Sequence, residues 1–169
     1  MLAPSRISDP FAMLLNLSLG VATMAVCLAL QIALLARALL YYAHRQALLN
    51  DASYLRTMAV LSGVLLLLMF GILGQVAIWA LLFQFIGEFE DYGTAFYFSA
   101  VNFSTLGYGD LVMSERWRLL GPVQALNGVL MVGLSTASFM TTLRDAVKHS
   151  VSGWKTADAS TLREIVDKH

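Results

Sequence analysis

Charge is scarce in this 169-residue sequence, with 13% of positions Asp, Glu, Lys or Arg against 58% hydrophobic. A soluble globule of this length cannot cover so much apolar surface with so few charged groups, so an ordinary water-soluble domain is excluded. The 11 basic and 11 acidic residues cancel. No basic surface for nucleic acid follows from that balance, and no long run of one sign reads as an interaction tail. Cysteine occurs once, as Cys27. It excludes an intrachain disulfide and, inside an apolar stretch, reads as a packing residue. The apolar stretches also lack any acid, base or metal-ligand cluster, which argues against an intramembrane enzyme. They lack the arginine ladder of a voltage sensor as well.

Long apolar runs are what the sequence does have. Three stretches carry no charge: from after Asp9 to before Arg37, from after Arg56 to before Glu88, and from after Arg118 to before Arg144. Each exceeds the roughly 20 residues needed to cross a hydrocarbon core about 30 Å thick. The first is too long for a signal-peptide core of about 7 to 15 residues, and Arg37, Tyr41 and Tyr42 follow it where an interfacial anchor belongs. Its helix is expected to start near Pro10 and to run past Tyr41, Tyr42 and Arg45, ending at Asn50 and Asp51. Asp51 and Ser53 are candidate caps for the second helix. Gly63, Gly71 and Gly74 within that helix suit close packing against a neighbour. Residues 1–50 are thus an N-terminal transmembrane helix with an extension, and residues 51–143 hold an outer helix at about 55–86 and an inner helix at about 118–143. Residues 144–169 form a short tail, partly helical, with Thr161 and Glu164 at capping-box spacing.

Basic residues set the orientation. Arg37, Arg45 and Arg56 follow the first span, and Arg144, Lys148, Lys155, Arg163 and Lys168 follow the third. Three crossings put both groups on one side, which the positive-inside rule makes the cytoplasm. The N-terminus, with Arg6, and the segment between the second and third spans then lie outside. Glu88, Glu90, Asp91, Asp110 and Glu115 fall in that segment, as solvated charges or as a cation-attracting mouth. His44 and His149 are candidate cytoplasmic pH sensors, or ordinary surface residues.

Between Gly87 and Arg118 lies an aromatic segment at about 94–104, too short to cross and suited to a buried re-entrant helix. Thr105-Leu106-Gly107-Tyr108-Gly109-Asp110 follows it. Lining a pore with successive carbonyls requires the backbone to alternate in hand, and Gly107 and Gly109 permit φ > 0 at every second position. Such carbonyls can replace the water shell of a cation.

Phe96 to Ser104 followed by Thr105 to Asp110 resembles the pore helix and selectivity filter of potassium channels, and Trp117, Arg118 and Leu119 extend the likeness into the inner helix. The resemblance covers roughly residues 57–143 and leaves out the first helix. It implies an all-α membrane protein of three transmembrane helices with a re-entrant pore helix, assembled as a homotetramer with three identical partner subunits. Such a protein is a small prokaryotic-type channel of the plasma membrane, as in a bacterial inner membrane, and not an enzyme. By that resemblance Thr105, Leu106, Gly107, Tyr108 and Gly109 form the filter, with potassium bound at Thr105 to Tyr108 and Asp110 at the outer mouth. Potassium is the permeant ion; no cofactor and no nucleic acid is implied, and lipid is the surrounding partner. The Tyr108 ring is expected to pack outward in a supporting cuff. Gly128 matches the family's hinge glycine, with Gly133 as a second flexible point, and either also suits packing alone. Val132, Thr136 and Met140 are expected along the cavity, with Phe139 or Met140 as an apolar constriction. Leu106 replaces the family's usual valine, and Val101 fills a place that is acidic in some relatives. Non-conducting or weakly selective variants of the same fold are the alternatives.

Overall fold

The computed structural model describes residues 10–47 and 54–166. Among them are four helices and no paired β-strand: α1 (Pro10–Ala47), α2 (Tyr54–Phe85), α3 (Tyr92–Phe103) and α4 (Leu120–Val166). Three segments are long and apolar enough to cross a membrane: Pro10–Tyr42, Met58–Phe85 and Leu120–Lys148. The protein is thus an all-helical, membrane-type fold. Pro10 opens α1 because its fixed φ suits a first helical turn and its missing N–H would be unpaired there anyway. Asn50, Asp51 and Ser53, together with Arg6 and Lys168, lie outside the described residues. Arg45, Arg56, Lys155, Arg163 and His149 lie on described helices, but their side chains fall outside the described set.

Two boundaries differ from expectation. The inner helix starts at Leu120 rather than 118, because residues 115–119 form a turn closed by the Leu120 N–H on the Trp117 carbonyl at 2.9 Å. At its other end α4 continues to Val166, with no break near 143 and no new helix start at Thr161. No proline interrupts this stretch, and Gly153 is its single poor helix former of that kind. Its Ala, Lys, Arg and Glu residues favour the helix, so nothing local stops propagation.

The chain forms two compact units, one of residues Met1–Leu34 and Met69–Leu134, the other of Leu35–Leu68 and Ser135–His169. In the first, Cys27, Val76, Trp79, Phe83, Phe98, Phe103, Trp117, Leu120 and Met131 make a shared core. Phe83 meets Phe98 edge to face, with ring centroids 5.4 Å apart, and Phe89 lies 5.1 Å from Phe98. This seats α3 against the end of α2. α1 joins the same unit through small and polar residues. A Cβ on Gly71 would sit 2.4 Å from Leu34 Cδ1, so the Leu34 side chain would have to turn aside to admit one. Gln75 Nε2 donates to Gln31 Oε1 at 2.7 Å, and Asn16 Nδ2 donates to the Arg116 carbonyl at 2.6 Å. Both amides of α1 are buried. In the second unit Ala38, Tyr42, Val60, Leu61, Val64, Leu68 and Ala146 pack together, with Phe139 and Leu143 against them.

Candidate functional site

The site is built around α3. Asp91 caps its N-terminus, accepting from the Gly93 N–H at 2.8 Å, the Thr94 N–H at 2.7 Å and the Thr94 hydroxyl. The Thr94 hydroxyl bond, followed by the two backbone N–H bonds, holds the Asp91 carboxyl below its ordinary value of 3.8. Asp91 therefore orders the short helix, a role that its position just before the first helical residue signals.

The C-terminus of α3 ends in a compact cap. The Thr105 N–H donates to the Asn102 carbonyl at 3.0 Å, and the Leu106 N–H to the Val101 carbonyl at 3.0 Å. This is the paired 5→2 and 6→1 pattern of a Schellman motif, which needs a left-handed residue at its turn. The end of α2 uses the same pattern, with Gly87 at φ 74°. α3 uses Thr105, at φ 60°. A β-branched side chain in that region is strained, at about 1–3 kcal/mol. Gly107 at 56° and Gly109 at 76° follow, while Leu106 and Tyr108 keep negative φ. The backbone of this single unpaired strand, residues 105–109, thus alternates in hand, starting two residues earlier than glycine content alone indicates.

Around this strand, Tyr97 donates its hydroxyl to Asp110 Oδ2 at 2.8 Å. That bond, followed by desolvation and then the nearby Asp110 charge, raises the Tyr97 hydroxyl above its usual 10.0. Asp110 thereby gains an α3 partner although Val101 is apolar. Between Val101, Tyr97, Asn102, Asp110 and Arg118 a cavity of about 390 Å³ lies behind the strand. Tyr108 is 66% exposed, so the described residues of its own chain do not enclose it in the expected cuff. Glu88 is tied down, accepting from the Ser114 hydroxyl at 2.8 Å and from the Ser114 N–H.

A buried polar chain, not singled out from the sequence, crosses this unit. Ser99 Oγ donates to the Val76 carbonyl at 2.7 Å, and Gln124 Nε2 donates to Ser99 Oγ at 2.6 Å. Asn102 Nδ2 donates to Gln124 Oε1 and to the Gly121 carbonyl, both at 2.8 Å. Two amides within apolar surroundings were the available signal, since polar groups at membrane depth face protein partners.

Gly128 touches α3 directly. A Cβ there would lie 2.0 Å from the Phe103 carbonyl oxygen. Its missing side chain serves close packing between α4 and α3, whereas Gly133 has open space beside it. Val132 and Met140 are exposed at 45% and 43%, and Thr136 is exposed as well. Phe139 is half-buried and packs against the apolar cluster of the second unit, while Met140 is exposed. Among the described residues, no group of three or more His, Cys, Asp or Glu could hold a metal ion.

Residues 65–145 match the family model described as "Ion channel". The matched stretch includes most of α2, all of α3, the strand and the first half of α4. Over this stretch the chain is similar to ion-channel pore sequences. TWiK family of potassium channels protein 18 of Caenorhabditis elegans is 34% identical over 90 residues, covering 50% of this chain and 18% of that protein. The chain therefore spans about a fifth of that relative's length. No solved structure matches the chain.

Proposed function

We propose that four copies of this chain surround one axis and conduct potassium passively through a filter of backbone carbonyls. The carbonyls of Thr105, Leu106, Gly107 and Tyr108 are the ion ligands in this reading, with Gly109 and Asp110 at the outer mouth. The alternation of backbone hand along residues 105–109 carries it, because that alternation turns successive carbonyls toward one side. The capped C-terminus of α3 adds a partial negative charge beside the inner end of the strand, which favours a cation. The name of the worm relative supports potassium as the permeant ion.

In this assembly the C-terminal end of α4 is cytoplasmic and the α3 segment outside, by the placement of Arg and Lys. Val132, Thr136 and Met140 face the ion path, Met140 as an apolar closure and Gly133 as the flexible point. The protein acts in the membrane and performs no catalysis.

Reconstitution into liposomes tests the reading. Purified protein should carry potassium down its gradient, and the reversal potential in mixed potassium and sodium should follow the potassium gradient. A reversal indifferent to potassium rejects selectivity; absence of flux across all voltages and pH values rejects conduction.

A further inference from the structure

We infer that Gln124 is a positioning residue that sets the rotation of α3, and through it the register of the first filter residues; this rests on the proposed filter at 105–109. Gln124 is fully buried, and both ends of its carboxamide are bound to α3. Its Nε2 donates to Ser99 Oγ at 2.6 Å and to the Ser99 carbonyl at 3.2 Å, and its Oε1 accepts from Asn102 Nδ2 at 2.8 Å. Ser99 and Asn102 are three apart, on adjacent turns of one helical face. One rigid amide therefore grips two points of α3, which fixes rotation as well as distance. The second Asn102 hydrogen goes to the Gly121 carbonyl, and Ser99 passes the chain on to the Val76 carbonyl of α2. α3 is thus held between α2 and α4 by a continuous set of hydrogen bonds.

The gripped residues also start the filter. The Asn102 carbonyl accepts the Thr105 N–H, and its neighbour Val101 accepts the N–H groups of Leu106 at 3.0 Å and Gly107 at 3.3 Å. A turn of α3 about its axis moves both acceptors, and with them all three bonds, together. Gly128 limits how closely α4 approaches, through the Phe103 carbonyl, but a steric stop does not choose a rotation. Gln124 does. Its position on α4, four residues before Gly128, places both controls on adjoining turns of one helix.

Two variants and three readouts test this. Gln124→Met keeps the approximate shape of the side chain and removes its hydrogen bonds, leaving Ser99 and Asn102 short of partners. Ser99→Ala/Asn102→Leu/Gln124→Met removes the partners too, which restores much of the lost stability because no buried polar side chain of the set is left unmatched. In full-length protein, amide hydrogen exchange at residues 105–107 should speed up about tenfold in Gln124→Met while the amides of residues 76–80 stay protected. The triple variant should regain melting temperature yet keep the fast exchange and a lowered potassium-over-sodium permeability ratio. Unchanged exchange at 105–107, or recovery of protection together with melting temperature in the triple variant, overturns the inference. If Gln124→Met does not fold, the triple variant decides. Wild-type protein that conducts no potassium removes the filter reading, while the exchange measurement still decides whether Gln124 positions the strand.

Discussion

At the scale of single residues, two positions show how backbone approach governs the region of the strand. Gly128 has no room for a side chain, since the atom a Cβ would meet is a main-chain oxygen 2.0 Å away. A main-chain atom cannot swing aside like the end of a leucine. Gly128→Ala should therefore destabilise the fold by about 1–3 kcal/mol, read as a lower melting temperature and yield in detergent. Gly133→Ala, with nothing within 4 Å of the added carbon, should leave stability close to wild type. Thr105 is the converse case. It occupies the left-handed turn position that Gly87 fills at the end of α2. From the sequence, Gly107 and Gly109 announce positive φ because only glycine takes it without strain. Thr105 gives no such notice, since its β-branched side chain disfavours the conformation that the cap imposes.

At the scale of elements, α3 is a 12-residue helix whose order rests on its two ends. Asp91 provides the first. Its carboxyl is held below 3.8 in the folded protein, so its contribution is present above that ordinary value and is lost as pH falls through the lower folded value. Hydrogen exchange of the Gly93 and Thr94 amides should accordingly stay slow at neutral pH and accelerate on acidification below the ordinary carboxylate range. Asp91→Asn should keep part of the cap at all pH values and abolish this acid step. Read as one more charge at an outer mouth, Asp91 hides this role; its place immediately before an aromatic helical segment was the better signal. The spans of α1, α2 and α4 were legible because uninterrupted apolar runs admit few other solutions in lipid. The length of α4 was not, for a helix without a stop signal ends wherever its surroundings let it, and charge alone does not mark that point.

For the whole molecule, the feature outside the stretch similar to ion channels is α1, whose buried face includes Asn16, Gly20, Cys27 and Gln31. Its partners were illegible in sequence because Gln31 bonds a residue 44 positions away and Asn16 one 100 positions away. Gln31→Leu should cost about 1 kcal/mol by stranding the Gln75 amide, and Gln31→Leu/Gln75→Leu should recover most of it, with a coupling energy measurable in a double-mutant cycle of thermal melts. A further consequence concerns biosynthesis. α1 precedes the other described helices, and the carbonyl that accepts from Asn16 Nδ2 belongs to a residue added 100 positions later. At about 5–20 residues per second, the ribosome takes roughly 5–20 s to supply it. During that interval the nascent helix carries an open amide in lipid, so a truncated or stalled chain remains chemically distinguishable from a finished one to the cell's membrane quality control.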